Sequence, residues 1–567
     1  MKELLRIDHL TAGYNGSAVI EDISLRLHAG EVLGIVGESG SGKSTLLKAV
    51  AQIRGLSTEI HAGTVAFAGR DITSLSESER RRLYGTELAM VFQYAGASLN
   101  PSRRIGTQLA ETMRAHTALS SDEIHARAAD IFGSMGFSDI DRVLSAYPFE
   151  LSGGMAQRAA IALAVILRPQ LLLADEPTSA LDATVQLQVL DELRALKEQT
   201  GMAILLITHN IGVVRHIADR VAVMKDGRIV EQSGARELLE NPQDDYTKSL
   251  LAAVPRMYAA AHIGSCDRRS HALHTEGRTL HRVSLSTLPS RRFPRLQKHR
   301  DPHLPASSHG KRGGGSAELI RFENVSMYFD DAAGQTQAVD GISFSLARRE
   351  LLGIVGESGS GKSTVAKLIT GLHTATSGNI LFRNRPVTHA SGKERRALYT
   401  RIQMVFQDAP GSFNPRRTIG AMISETICRL CTPDGRQTEH RVAELLNEVG
   451  LPASYAERYP HEMSGGECQR AAIARAMAVH PEILICDEAT SALDVSVQAK
   501  IISLLLHLQR EHGMSLLFIS HDLPLVSSIA SRVLIMQNGH IVEQGETSRV
   551  LENPASEYTK SLLSAVL

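Results

Sequence analysis

The 567-residue sequence has no net charge, since 61 lysines and arginines balance 61 aspartates and glutamates. Nothing global therefore draws it toward nucleic acid or an anionic membrane. It lacks any uninterrupted apolar run of the ~18–20 residues needed to span a bilayer. If the protein acts on a membrane, a separate subunit must do the spanning. The opening Met1-Lys2-Glu3-Leu4-Leu5-Arg6 carries charge where a signal peptide would carry an apolar stretch, so a cytoplasmic protein is expected. Cysteine is scarce. Cys266, Cys428, Cys431, Cys468 and Cys486 are scattered, as suits a reducing compartment. Cys428 and Cys431 form a lone C-x-x-C in a helix-like stretch. No partners follow at metal-ligand spacing, so the pair reads as structural. What remains is an ordinary globular composition, 43% hydrophobic and 22% charged, on a chain long enough for several cores.

What the chain has in plenty is repetition. Leu33–Thr45, LGIVGESGSGKST, returns unchanged at Leu352–Thr364. Met90–Gln93 returns at Met404–Gln407, Ser152-Gly153-Gly154 at Ser464-Gly465-Gly466, and Asp175-Glu176 at Asp487-Glu488. Thr208-His209 answers to Ser520-His521, and the tail Tyr246–Leu251, YTKSLL, to Tyr558–Leu563. One order kept throughout implies duplication or fusion of a whole domain, with copies expected at 1–255 and 318–567. Residues 256–317 between them are rich in Arg, His, Ser, Pro and Gly and have no apolar periodicity. They read as a flexible linker. A solvated spacer is the preferred role, and weak contact with anionic lipid head groups is the alternative.

Within each copy, short apolar runs end in glycine turns and alternate with helix-like stretches. Residues 31–36, 171–174 and 203–207, and 483–486 and 515–519 in the second copy, look like buried parallel strands. The expected class is α/β. Segments 101–149 and 415–461 lack such strands and are expected to form helical subdomains.

Gly37–Ser44 and Gly356–Ser363 each fit G-x-x-x-x-G-K-[ST] after a strand and before a helix, the context a phosphate-binding loop requires. Gly37, Gly40 and Gly42, like Gly356, Gly359 and Gly361, let the backbone curl so that its N–H groups face phosphate oxygens. The helix N-terminus adds partial positive charge. Lys43 and Lys362 would bridge the β- and γ-phosphates of ATP. Ser44 and Ser363 would hold Mg²⁺, with Thr45 and Thr364 completing the nucleotide-contacting runs. Two apolar strands then end in paired acids. A carboxylate pair there is costly unless it meets metal or solvent. Asp175 and Asp487 would sit by Mg²⁺, while Glu176 and Glu488 would orient or deprotonate the attacking water. The competing reading, a capping pair for the next helix, fits poorly beside two phosphate loops.

On these motifs the sequence resembles the ATP-binding cassette (ABC) superfamily over nearly the whole chain except the linker. The resemblance implies two tandem P-loop NTPase domains, each with a RecA-like core, an antiparallel β subdomain and a helical subdomain. Ser152-Gly153-Gly154 and Ser464-Gly465-Gly466 match the family's signature. In the family, each ATP is clasped between one phosphate loop and the opposite signature. With two of each in one chain, head-to-tail pairing inside the molecule is implied, Lys43 facing Ser464 and Lys362 facing Ser152. The resemblance assigns Gln93 and Gln407 to metal and water sensing, and His209 and His521 to the γ-phosphate. It makes Ser179–Asp182 and Ser491–Asp494 the loops that cross between domains. It also asks for an aromatic ring beneath the adenine. Tyr14 fits in the first copy and Phe329 aligns best in the second, with Tyr328 as a rival.

The likeness narrows to the dipeptide, oligopeptide and nickel importer ATPases on Asn100-Pro101, Asn414-Pro415 and the YTKSLL tails, as though two subunits were fused. It implies two transmembrane permease subunits, a periplasmic or extracellular solute-binding protein, no nucleic acid, and a peripheral position on the cytoplasmic face of the cell membrane. Relatives often carry a cysteine-rich segment after the tail. Here only Cys266 follows the first tail, so no iron–sulfur cluster is expected. Glu467, Asn210 and Ala489 replace commoner Gln, Asp and Pro, and none removes a catalytic group. One rival is a soluble tandem ATPase acting on ribosomes, whose linker should be long and helical where this one is broken by Pro and Gly. A DNA-repair ATPase would need coiled-coil or zinc insertions, and the sequence has neither.

Overall fold

The computed structural model describes residues 2–52, 58–93, 95–178, 181–254, 318–331, 334–388, 392–431, 435–490 and 493–566. The linker reading, Cys266, and the residues Ser179, Ala180, Ser491 and Ala492 lie outside them.

The first cassette carries β1 (Glu3–Tyr14), β2 (Ser17–His28), β3 (Val32–Val36), β4 (Glu59–Phe67), β5 (Arg70–Asp71), β6 (Leu88–Val91), β7 (Leu171–Asp175), β8 (Ala203–Ile207), β9 (Arg220–Lys225) and β10 (Arg228–Gly234). The second repeats them as β11 (Glu318–Asp331), β12 (Gly334–Ala347), β13 (Leu351–Val355), β14 (Ser377–Phe382), β15 (Arg385–Pro386), β16 (Ile402–Val405), β17 (Ile483–Asp487), β18 (Ser515–Ser520), β19 (Arg532–Gln537) and β20 (His540–Glu546). In each copy a four-stranded antiparallel sheet, β2-β1-β4-β5 or β12-β11-β14-β15, lies beside a six-stranded sheet. The larger sheets run β10-β9-β3-β8-β7-β6 and β20-β19-β13-β18-β17-β16. They are parallel except for the hairpins that add β10 and β20.

Why the inner strands are apolar at every position follows from their two covered faces. In the first cassette Leu33, Ile35, Leu171, Leu173, Leu205 and Ile207 pack toward the antiparallel sheet and the helix Lys43–Ala51. The alternate residues Val32, Leu172, Ala174, Ile204 and Leu206 pack on the other side, with the helical segments. In the second cassette Leu484, Cys486, Leu516 and Phe518 form the face turned to the helices. Phe518 is completely buried there. Phe518→Ala should cost about 3–5 kcal/mol, the usual loss for a buried aromatic truncation. Differential scanning calorimetry should show the second cassette melting earlier. An unchanged trace would mean the site collapses around the gap.

The segments expected to be helical are so. Helices span Ile105–His116, Ser121–Ser134 and Ile140–Ser145 in the first cassette, and Ile419–Leu430 and Gly435–Glu448 in the second. Ser120 opens its helix with a capping box to Glu123, and Thr418 accepts from the Ala421 N–H. Each segment leads into a helix that begins at the Ser-Gly-Gly run, Gly153–Val165 or Gly465–Met477. Cys428 lies on the Ile419–Leu430 helix and Cys431 caps its end. Among the described residues no helix is long and apolar enough to cross a membrane.

Candidate active site

Four neighbouring parallel strands deliver the site. β3 runs into Gly37, β6 ends two residues before Gln93, β7 is followed by Glu176, and β8 ends two residues before His209. The carboxyl ends of strands in an open α/β sheet face a common crevice, so residues remote in sequence converge. The crevice is a cavity of about 240 Å³ walled by Ser39, Gly40, Lys43, Ser44, Gln93, Glu176 and His209.

Sterics dictate the glycines of the loop. Gly42 has φ +97°, and a Cβ there would lie 2.6 Å from Ile20 Cγ2. Gly361 has φ +99°, and its Cβ would lie 2.4 Å from the Ala338 carbonyl oxygen. At Gly37 and Gly356 a Cβ would come within 2.2 Å of the Met224 and Met536 carbonyls. Gly40 and Gly359 are also left-handed but face open space, so the loop backbone is bare where a ligand approaches.

The loop encloses its lysine. Lys43 Nζ donates to the carbonyls of Gly37 (2.8 Å) and Glu38 (2.7 Å), and Lys362 Nζ donates to those of Gly356 (2.7 Å) and Glu357 (2.6 Å). Burial pushes both ammonium groups below their ordinary range, against the pull of Glu176 on one and Glu488 on the other. Each lysine thus has a site that a polyanion would complete.

Next to the lysines, Ser44 Oγ donates to Asp175 Oδ1 at 3.2 Å and Ser363 Oγ to Asp487 Oδ1 at 3.0 Å. Burial holds both aspartates above the usual carboxylate range, and the neighbouring Glu176 and Glu488 add to the effect. A hydroxyl and a carboxylate short of positive charge are a hard-oxygen donor set that suits Mg²⁺. Glu176 and Glu488 behave oppositely. Burial works against their ionisation, yet hydrogen bonds and charge from His209 and His521, with help from Gln93 and Gln407, hold both below the ordinary range. Glu176 meets His209 Nδ1 at 2.9 Å and Gln93 Nε2 at 2.9 Å. Glu488 meets His521 Nδ1 at 3.4 Å and Gln407 Nε2 at 2.6 Å. Both glutamates take left-handed backbone, φ +46° and +47°. Such conformations are costly for non-glycine residues and cluster at functional sites.

The signature serines are exposed and cap their helices. Ser152 Oγ accepts from the Met155 N–H at 3.3 Å. Ser464 does more, because Glu467 reaches back to it. The Glu467 carboxylate accepts from the Ser464 N–H and hydroxyl, both at 2.8 Å, and from the Tyr455 hydroxyl at 2.7 Å. Gly153 and Gly465 follow with open or nearly open surroundings, while Gly154 and Gly466 lie against Val185 and Val497. Asn210 caps the helix Ile211–Ile217 through the Gly212 N–H, as Asp522 caps Leu523–Ile529 through the Leu525 N–H. The replacement of Asp by Asn at 210 keeps that role. Tyr14 Oη lies 3.4 Å from Thr45 Oγ1 at the loop. In the second cassette Tyr328 turns its hydroxyl to Asp340, whereas the Phe329 ring meets His373 edge-on and is 36% exposed. Thr364 lies half-buried on the helix behind Ser363.

Two contacts were not named from the sequence. Across the interface between cassettes, the Ser39 N–H donates to Asp494 Oδ2 at 3.4 Å. Residues 181 and 493, with His209 and His521, line a shared cavity of about 170 Å³ between the cassettes. The other contact comes from the tails. Tyr246 and Tyr558 accept hydrogen bonds from the Glu38 and Glu357 N–H groups at 3.1 and 3.0 Å. The repetition of YTKSLL in both tails is the signal that could have found these tyrosines.

This is the machinery of a phosphate-loop ATPase built twice in one chain. The ABC transporter family matches residues 20–179 and 339–491, and the chain belongs to it. The oligopeptide/dipeptide transporter C-terminal region matches residues 230–276 and 542–567, at the C-terminal end of each copy. The chain is 40% identical over 561 residues to the glutathione import ATP-binding protein GsiA of Salmonella paratyphi A, covering 96% of this chain and 86% of that protein. It is 39% identical over 563 residues to its namesake in Escherichia coli O157:H7, covering 97% and 86%. Identity to the peptidoglycan transport ATP-binding protein YejF of Agrobacterium fabrum is 38% over 560 residues, covering 97% and 93%.

Proposed function

We propose that this chain is the double ATPase subunit of an importer for peptides or a similarly small, polar solute. It would act from the cytoplasmic face of the cell membrane, with two permease subunits and a separate solute-binding protein. The observation that carries the reading is that each copy ends in its own oligopeptide/dipeptide transporter C-terminal region. Relatives with glutathione import and peptidoglycan transport in their names support the same solute class.

ATP would lie along each phosphate loop, its phosphates on the backbone N–H groups and Lys43 or Lys362. Ser44, Asp175 and Gln93, and Ser363, Asp487 and Gln407, would hold Mg²⁺, which neutralises charge on the transferring phosphoryl group. Ionised at neutral pH, Glu176 and Glu488 can orient or deprotonate water, and His209 and His521 hold them in place while reaching toward the γ-phosphate. The opposing signatures would close each site, Ser464 over Lys43 and Ser152 over Lys362. The Asp494 contact at Ser39 supports that head-to-tail arrangement.

Beside Gln93 the surface opens into a groove of about 470 Å³ walled by Met90, Phe92, Leu99, Asn100 and Arg103. Phe92 and its counterpart Phe406 are 36% and 38% exposed. Rings left in solvent next to a metal-sensing glutamine suit a permease helix that would feel ATP-driven movement. Single cysteines at Ser98 and Pro415 should cross-link to cytoplasmic helices of a co-expressed permease in detergent. An active complex that gives no such product would sink the docking assignment, and co-purification with ribosomes instead would favour the soluble rival.

A further inference from the structure

The tail tyrosines contact the phosphate loops at one particular peptide. The Glu38 N–H that donates to Tyr246 belongs to the Gly37–Glu38 peptide, whose carbonyl accepts from Lys43 Nζ at 2.8 Å. A peptide unit is planar, so fixing its N–H also fixes the direction of its C=O. The next peptide, Glu38–Ser39, is held alike: its carbonyl accepts from Lys43 Nζ and its N–H donates to Asp494 of the opposite cassette. In the second cassette Tyr558 anchors the Gly356–Glu357 peptide, whose carbonyl accepts from Lys362 Nζ at 2.7 Å. The geometry occurs twice, between residues 208 and 201 positions apart, in segments that match the oligopeptide/dipeptide transporter C-terminal region.

We propose that Tyr246 and Tyr558 are positioning residues of the two ATP sites: each hydroxyl orients a loop peptide, and through its carbonyl aims Lys43 or Lys362 at the phosphates. This rests on the reading that those lysines bind ATP. It gives the tail a task in nucleotide binding besides packing on the core. Burial pushes the Tyr558 phenol up to about 12, so at neutral pH it is an uncharged acceptor that does not repel the phosphates. A purely structural role would reside in the rings. Tyr246 packs with the buried Leu250 and lies under Lys225 Nζ, 5.0 Å from the ring centroid. Phenylalanine keeps those contacts and removes only the hydroxyl.

The test uses the full chain and Mg²⁺-ATP. In Tyr246→Phe/Tyr558→Phe the KM for ATP should rise roughly 5–10-fold, as for loss of one neutral hydrogen bond per site, while kcat changes less than about twofold and Tm by less than ~2 °C. Leu250→Ala/Leu562→Ala, which loosens the tail helices Asp245–Ala252 and Glu557–Ser564 but keeps both hydroxyls, should lower Tm and leave KM unchanged. An unchanged KM in the phenylalanine variant overturns the proposal. So does an equal rise in KM in the leucine variant, since packing would then be the cause. Lys43→Ala/Lys362→Ala separates the two levels. If that variant bound ATP normally, the ATP-site reading itself would be wrong, whatever the tyrosines do.

Discussion

Replacing Glu176 and Glu488 with glutamine should lower ATP turnover by about 10²–10⁴-fold, the range for loss of a positioned general base, while ATP still binds. The change removes one charge per site and almost no volume. The amide oxygen can still accept from Gln93 or Gln407, and the lysines and loop N–H groups that would hold the phosphates are untouched. What disappears is a carboxylate kept ionised in a buried setting by His209 or His521. Its left-handed backbone places it directly after the strand end, beside Asp175 or Asp487. Single-turnover phosphate release together with binding of a fluorescent ATP analogue would check both halves of the expectation. Turnover within tenfold of wild type would remove these glutamates from the chemistry.

Lys43→Ala/Lys362→Ala should weaken ATP binding by roughly 10–10²-fold. Charge-assisted hydrogen bonds contribute about 1.5–3 kcal/mol each, and 1.4 kcal/mol is a factor of ten. Each ammonium is buried and held by two main-chain carbonyls, and its third contact, a longer one to the Ser41 or Ser360 hydroxyl at 3.4 or 3.3 Å, is the one a phosphate would replace. Truncation also leaves those carbonyls pointing into an empty slot. Arginine should not rescue the loss, because its rigid planar fork cannot replace a compact ammonium between the Gly37 and Glu38 carbonyls. Titration of the intact chain with nucleotide would decide. Unaltered affinity in a folded variant would refute the assignment.

The parallel strands were legible because both their faces are buried. Residues 203–207 read as a strand and are β8, and residues 171–174 and 483–486 each lack only the aspartate that ends the strand. The opening residues have a strand-like pattern and β1 lies there, but its length and pairing were not legible. Its pairing with β2 is broken by register shifts between Glu3 and Leu5 and again from Ile7 to Gly13, with His9 at φ +50°. Bulges of this kind destroy the period of two on which a strand reading depends. The antiparallel pairing of this subdomain is therefore what the family resemblance implied. Within the site, the loop and the acid pairs were read from glycine spacing and strand ends, whereas Gln93 and His209 were assigned through the family resemblance, and both lie against Glu176. Long-range choices were not legible. Nothing local states that the Tyr246 hydroxyl meets Glu38, 208 residues away, or that Asp494 meets Ser39 across 455. In the second cassette alignment favours Phe329 over Tyr328, and the Tyr328 hydroxyl is turned to Asp340.

The strand order also bears on how the chain is made. β3 lies between β8 and β9, so an all-apolar strand beginning at residue 32 must wait for partners at residues 203 and 220. At roughly 5–20 residues per second, synthesis imposes a delay on the order of 10–30 s. β13 shares the sequence LGIV with β3 and would fit the same slot. Because β13 starts at residue 351, the ribosome delivers β8 and β9 to β3 long before the duplicate exists. Vectorial translation thus pairs β3 before its near-copy can compete, an advantage forfeited when the whole polypeptide refolds at once from denaturant.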